Sequence, residues 1–302
     1  MPDFFAGLFP LISFFFLGIL LNALKLFKKE DGLIFLKLVF YLFIPAMALR
    51  AVLSLEINKD IFILPLIPIV PILVTFLLAA VFLKFCPLQK PVAGIFYTAS
   101  MNMNTAFILP FITVAYGSSA LAKAIFFDIG NIFFIFTFIY LIAVKHGKNK
   151  VVSKRFILKK ILCVPTIWAL IIGSILLMLQ VKVSDIFMNF LNIASHSSTP
   201  LIMLSLGIVF TFKQTNLSKA FAVIFIRMTC GLLIGIAITK LLPIDELSKK
   251  VIIIACSAPC GFNTMVFAAM ENLDDRFGAT VCSISTFLGI FILPLIIWFL
   301  AP

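Results

Sequence analysis

Two polar segments interrupt apolar stretches of this 302-residue chain. The first runs Ala-Ser-Met-Asn-Met-Asn-Thr over residues 99–105, and the apolar stretch that follows it contains Pro110. The second runs Cys-Ser-Ala-Pro-Cys-Gly-Phe-Asn-Thr over residues 256–264. Asn, Ser, Thr and Pro at membrane depth leave backbone groups that lipid cannot satisfy, so such segments must be buried in protein or line a cavity. Two interrupted spans at corresponding positions of the two halves indicate the binding site of a transporter.

Both interrupted segments carry groups that could bind a small solute. Each break creates two half-helix ends, of which the N-terminal end favours an anion such as a carboxylate and the C-terminal end a cation. Proline removes helical hydrogen bonds, and glycine tolerates unusual dihedral angles. The alternative is two proline-kinked helices whose polar side chains bond neighbouring helices. We expect the substrate-binding residues to be Asn102, Asn104, Thr105, Pro110, Pro259, Gly261, Asn263 and Thr264.

Three charged residues within the apolar stretches are further candidates. Asp128 is a carboxylate inside a predicted span, and such acids are functional-site hypotheses by default. It could carry a coupling proton, attract a cation, or pair structurally with Asn131 or a basic residue in a span. Arg227 could face an anionic substrate or pair with Asp128, whereas Arg50 lies near a span end, where long side chains reach the interface.

Composition indicates a polytopic membrane protein. Hydrophobic residues make up 63% of the chain and charged residues 12%, about half the charged fraction of a typical soluble domain. We predict ten spans, each close to the roughly 20 residues that cross a bilayer. They cover residues 5–26, 33–54, 61–85, 91–116, 121–144, 157–180, 185–211, 218–242, 249–270 and 277–300. Short connections join them, so residues 1–302 form a single transmembrane domain.

Basic residues predict the orientation. The net charge of +12 is attributed to residues flanking the spans, not to nucleic-acid binding. The connection at residues 145–156 is rich in Lys and Arg, which places it in the cytoplasm and both termini outside. Because each half then holds an odd number of spans, the halves thread the membrane in opposite senses. The fold class is therefore all-α, with two inverted five-helix repeats at residues 1–146 and 147–302, broken at helices 4 and 9.

Other chemistries find little support in the sequence. No phosphate-binding loop of the Gly-x-x-x-x-Gly-Lys-Ser/Thr type occurs, and neither a His-Glu-x-x-His nor a Gly-x-Ser-x-Gly motif is present. Cys256 and Cys260 are spaced for one helix face, but no His or acid accompanies them as a metal ligand. We therefore predict no enzyme activity, no metal and no cofactor beyond a coupling H⁺ or Na⁺.

The chain resembles the auxin efflux carrier family, which includes bacterial malate permease-like proteins. The resemblance extends over essentially the whole chain and rests on motifs in order and spacing, none highly specific alone. They are Asn104-Thr105-Ala106-Phe107-Ile108-Leu109-Pro110, Tyr116-Gly117, Asp128-Ile129-Gly130-Asn131, Thr199-Pro200, Leu206-Gly207, Ala258-Pro259, Val266-Phe267-Ala268, Ser285-Thr286 and Leu293-Pro294-Leu295.

This resemblance implies crossed, unwound spans 4 and 9, a scaffold part that can form a homodimer, and an elevator-like movement of the part holding the crossing. It implies secondary transport of organic anions and a bacterial inner-membrane location. The family often has glycine where this chain has Ala106 and Leu109, which puts substrate size in question. Related bile acid:sodium symporters share the architecture.

The sequence thus predicts a secondary transporter of a small organic anion such as a mono- or dicarboxylate. Spans 3–5 and 8–10 would move against the rest, with Asp128 as the proton-coupling residue. A sodium-coupled symporter is the first alternative, and a channel or receptor of the same fold is the second.

Overall fold

Helices form all the regular elements in the described part of the chain. The computed structural model describes residues 2–54, 59–147, 162–211 and 215–300. The α-helices are α1 (Pro2–Ala23), α2 (Lys29–Leu38), α3 (Ile44–Leu53), α4 (Ile69–Phe85), α5 (Lys90–Met101), α6 (Thr105–Phe134), α7 (Tyr140–His146), α8 (Pro165–Met178), α9 (Asp185–Val209), α10 (Leu217–Ile224), α11 (Gly231–Leu241), α12 (Glu246–Cys256), α13 (Asn263–Glu271) and α14 (Asp275–Leu300).

Three π-helical turns join consecutive α-helices. Val39–Phe43 connects α2 to α3, Ile135–Ile139 connects α6 to α7, and Phe225–Cys230 connects α10 to α11. A π turn inserts one extra residue into a helix and redirects the side chains beside it, and such turns are frequent at functional sites. The last of them contains Arg227.

Within the described residues, five helical runs are long and apolar enough to cross a membrane. They are Lys29–Leu53, Leu64–Phe85, Thr105–His146, Leu217–Leu241 and Asp275–Leu300, and shorter apolar helices lie at Leu8–Ala23 and Pro165–Met178. The described residues are therefore all-helical, as in an integral membrane protein, whereas the ten-span count and the inverted repeat stay predictions. Much of the predicted cytoplasmic connection at residues 145–156 lies outside the described residues.

The longest run, Thr105–His146, contains 42 residues. At 1.5 Å per residue it would measure about 63 Å, roughly twice the hydrocarbon thickness of a bilayer. Gly117 breaks the helical geometry within it, with φ +76° and ψ −165°. That positive φ is accessible to glycine at little cost. The break falls where the sequence predicts the boundary between spans 4 and 5.

Contacts divide the chain into two compact units. The first contains Met1–Asn58, Leu109–Ile125 and Leu162–Phe210. In it α1 packs closely on α9 because Gly18 and Gly207 lack side chains, and a Cβ atom at either would overlap the opposing backbone. Arg50 donates a hydrogen bond to the side-chain oxygen of Asn192. That bond assigns Arg50 a structural partner in this unit.

The second unit contains Lys59–Ile108, Phe126–Ile161 and Thr211–Pro302. It holds α4, α5, α7 and α10 to α14, together with both ends of α6. All the predicted site residues belong to it except Pro110, which lies inside α6 in the segment assigned to the first unit.

Candidate functional site

Both predicted breaks are present, and the second unit brings them together. Helix α5 ends at Met101 and α6 begins at Thr105, while α12 ends at Cys256 and α13 begins at Asn263. Residues 102–104 and 257–262, here called the crossover, pair in an antiparallel manner around Met103 and Cys260. Asn104 N–H donates to the Pro259 carbonyl at 2.9 Å, and Gly261 N–H donates to the Asn102 carbonyl at 2.8 Å. Each linker thus satisfies backbone groups that the other leaves open, as burial in a membrane protein requires.

Asn102 and Gly261 lock the two linkers together. The Asn102 side-chain amide donates to the Gly261 carbonyl at 3.2 Å and to the Thr264 hydroxyl at 3.4 Å. A Cβ atom at position 261 would overlap the side chain of Asn102. Because Asn102 and Thr264 are fully buried, their contacts primarily hold the crossover in shape, and glycine is required at 261 for the close approach.

Asn104 combines a structural bond with an unused donor. Its side-chain oxygen accepts a hydrogen bond from Phe107 N–H at 3.3 Å, which caps the N-terminus of α6. Its Nδ2 is buried and has no hydrogen-bond partner among the described residues. A buried donor without a partner costs about 1–3 kcal/mol, so this N–H group at a positive helix end is suited to an acceptor on a ligand.

Helix α13 supplies a second N-terminus in the same unit. Its N-cap position is Phe262, and no side chain caps it by a hydrogen bond. Asn263, the first residue of α13, is partly exposed. Pro259 contributes its carbonyl to Asn104, as described above, and cannot donate in return.

Asp128 is tied to the first linker by hydrogen bonds. One carboxylate oxygen accepts from the Thr105 hydroxyl at 2.6 Å and from the Asn131 side-chain amide at 2.9 Å. Asn131 also donates to the Met103 carbonyl at 3.3 Å. Asn131 is thus a site residue that the sequence suggested only as a partner for Asp128, and Thr105 belongs to this network. The Asp128 side chain stays partly exposed.

Arg227 contacts backbone carbonyls, a role that the sequence analysis did not consider. Its guanidinium is fully buried and donates to the Cys256 carbonyl at 2.6 Å, with longer contacts of 3.4 Å to the carbonyls of Ser100 and Met101. Among the described residues it forms no ion pair with Asp128, whose partners are Thr105 and Asn131. Arg227 therefore binds the C-terminal ends of α5 and α12.

Glu271 is buried, although an acid that follows an apolar run usually lies in a solvated connection. It is the last residue of α13 and only 2% exposed, and it accepts a hydrogen bond from the Tyr140 hydroxyl at 2.7 Å. The helix continues to this residue, and its backbone packs against Gly147, which has no side chain. The sequence does not predict this burial, because the partner of Glu271, Tyr140, lies 131 residues away along the chain.

Comparisons with known proteins cover nearly the whole chain. A model of a family described as membrane transport proteins matches residues 3–297. An uncharacterized transporter of Methanocaldococcus jannaschii is 27% identical over 207 residues, which cover 67% of this chain and 66% of that protein. An uncharacterized transporter of Methanothermobacter thermautotrophicus is 24% identical over 287 residues, which cover 92% of each.

Proposed function

We propose, from the premise that this chain belongs to the membrane transport protein family, that it is a secondary active transporter of a small organic anion such as a mono- or dicarboxylate. Membership confirms the resemblance to the auxin efflux carriers and supports transport over catalysis. Substrate class and mechanism are the parts we propose.

The observation that carries the anion proposal is the free amide donor of Asn104. It lies at the N-terminus of α6, where the helix dipole is equivalent to about half a positive charge. The N-terminus of α13, without a side-chain cap, supplies a second positive end in the same unit. A carboxylate would accept from Asn104 Nδ2 and from groups near Asn263, while Asn102, Thr105, Pro259, Gly261 and Thr264 hold the crossover around it.

An elevator-like cycle is the proposed movement. The second unit includes predicted spans 3, 8, 9 and 10, the first part of span 4 and most of span 5. This grouping resembles the moving part expected from the sequence, apart from Leu109–Ile125, which includes Pro110. Its internal hydrogen bonds support movement as one body that carries the crossover. The lipid bilayer would surround both units, and the first unit would provide any homodimer contact.

Asp128 is the proposed coupling group. Its hydrogen bonds to Thr105 and Asn131 connect it to the linker at residues 102–104. Protonation would make the Asp128 carboxyl a weaker acceptor for the Asn131 amide and would so alter the hydrogen bond that Asn131 donates to the Met103 carbonyl. We propose that H⁺ coupling runs through this network. We also propose that the protein lies in a bacterial inner membrane with both termini outside.

Uptake into liposomes tests the function. The purified protein would be reconstituted and supplied with labelled mono- and dicarboxylates, with sodium or choline as the external cation. We expect saturable uptake of at least one carboxylate in either salt. Uptake that requires sodium would favour the symporter alternative, and flux that rises linearly with concentration would favour a channel. Absence of carboxylate binding or flux across the whole panel would contradict the anion proposal.

A further inference from the structure

We propose that the guanidinium of Arg227 permanently fills the cation site created by the two half-helix C-termini, so the crossover requires no sodium ion. The conclusion that transport needs no sodium rests on the transport function proposed above. The contacts of Arg227 with the helix ends exist in the folded protein whether or not it transports an anion.

The geometry is that of a cation between two helix ends. One nitrogen of Arg227 lies 2.6 Å from the Cys256 carbonyl, the last residue of α12. The other terminal nitrogen lies 3.4 Å from the carbonyls of Ser100 and Met101, the last two residues of α5. These carbonyls lack the helical N–H partners that an unbroken span would give them. Carbonyls of this kind at unwound transmembrane helices otherwise coordinate Na⁺.

The charges match as well. Each helix C-terminus is equivalent to about half a negative charge, so two of them offset one guanidinium. The Arg227 side chain is fully buried, and among the described residues no carboxylate forms an ion pair with it. Helix ends, not an acidic side chain, therefore stabilise the buried cation.

Two local features position Arg227. It lies in the π-helical turn Phe225–Cys230, which redirects side chains relative to an α-helix. Gly231, the residue that follows this π turn, leaves room for the interaction. A Cβ atom there would overlap the Cys256 carbonyl and lie 2.5 Å from a guanidinium nitrogen. A π turn followed by glycine thus allows the guanidinium to reach the helix end.

The consequence is a crossover with an electrostatic bias. Arg227 compensates the two negative helix ends, and it leaves the N-termini of α6 and α13 as positive ends of the crossover. The site then favours an anion at Asn104 without a co-bound metal cation, which disfavours the sodium-symporter alternative.

Chemical rescue of a truncated side chain tests the proposal. Thermal unfolding of the purified protein in detergent would be followed for wild type, Arg227→Ala and the matched control Arg50→Ala, with no substrate present. We expect Arg227→Ala to unfold at a lower temperature. We expect millimolar methylguanidinium to raise its Tm by about 3 °C more than the same concentration of choline, close to 1 kcal/mol for a protein of this size. Wild type and Arg50→Ala should show no such difference.

Equal rescue of all three proteins, or an Arg227→Ala protein as stable as wild type, would overturn the proposal. A rise in the Tm of the wild type that is specific to sodium would also overturn the proposal. This measurement needs only the wild type and so can be made even if the variant cannot be purified. Arg227→Gln, which drops the charge but keeps a donor, would replace an alanine variant that fails to fold. Because no substrate is used, a failed carboxylate assay would contradict the transport proposal without affecting this result.

Discussion

The side chain of Asn104 has two functions that one substitution can separate. In Asn104→Asp the remaining oxygen still accepts from Phe107 N–H, and Asp is as good an N-cap as Asn. The free N–H donor is replaced by a negatively charged oxygen that repels an anion. We expect the unfolding free energy to fall by about 1–3 kcal/mol, because the replaced group is buried and a carboxylate costs more to bury than an amide. Carboxylate transport should fall at least tenfold, since a hydrogen bond to a charged group contributes about 1.5–3 kcal/mol.

Asn104→Ser is the matched control for that prediction. Serine also caps helices, but it is neutral and cannot place a donor where Nδ2 lies. Its transport should be reduced less than that of Asn104→Asp. If both variants transport at the wild-type rate with unchanged KM, Asn104 does not contact the substrate.

Asp128→Asn tests proton coupling at the same scale. An amide can keep one oxygen as acceptor for Thr105 and Asn131 but cannot gain or lose a proton. We expect transport to persist at a lower rate and to lose its dependence on pH, measured as initial uptake at a series of pH values. Thr105→Ser, which keeps the hydroxyl, should retain the wild-type profile. Unchanged rate and pH dependence in Asp128→Asn would exclude the coupling role.

At the scale of elements, the breaks were predictable and their pairing was not. Polar residues and prolines inside apolar stretches predicted the interruptions, and the structure confirms helix ends at Met101 and Cys256. The antiparallel pairing of Met103 with Cys260 uses backbone groups, which carry no sequence signature. The partners of Arg227 are also backbone carbonyls, which the sequence does not reveal. From the sequence, only Asp128 and an anionic substrate were considered as its partners.

Burial of acids shows a related limit of sequence reasoning. Glu271 follows an apolar run and precedes Asp274 and Asp275, a pattern typical of a solvated connection. Its partner, Tyr140, is 131 residues away in sequence. Only the packing of α13 within the second unit brings them together.

The crossover should tolerate little change at its closest approach. In Gly261→Ala the new methyl group would overlap Asn102, which is buried and hydrogen-bonded and therefore cannot move freely. We expect a loss of about 1–3 kcal/mol in unfolding free energy, typical of overpacking, together with loss of transport. Thermal unfolding and liposome uptake measure the two effects.

Gly278→Ala provides the comparison in the same unit. There the new Cβ would lie 2.9 Å from the sulfur of Met265, and methionine side chains adapt easily. Its stability and transport should stay close to wild type. Equal losses in both glycine variants would show that the effect at 261 is not specific to the crossover.

At the scale of the whole molecule, the native cysteines report the orientation. Cys86 and Cys163 are exposed, and both lie near ends of spans that the positive-inside rule places in the cytoplasm. A membrane-impermeant maleimide should label neither in intact cells and should label them after permeabilisation. Lys182→Cys, at an exposed position predicted to face outside, should be labelled in intact cells. Labelling of native cysteines before permeabilisation would reverse the orientation.

The division into two units suggests which part of the protein would move during transport. The crossover, Asp128 and Arg227 all belong to the second unit, so a movement of that unit would carry substrate, coupling group and compensating cation together. Contacts inside this unit, such as Asn104 with Pro259 and Arg227 with Cys256, are buried hydrogen bonds, which favours rigid movement over local opening.

Counterflow of labelled malate is the most direct test of an anion-binding site at the crossover. Liposomes containing the protein would be loaded with unlabelled malate and diluted into a trace of labelled malate, with Asn104→Ala plus Asn263→Ala as the comparison. We expect the wild type to accumulate label transiently, to an extent that saturates as the internal malate concentration rises. The double variant should accumulate none, provided that both proteins unfold cooperatively. Equal accumulation by both would contradict an anion site at the crossover.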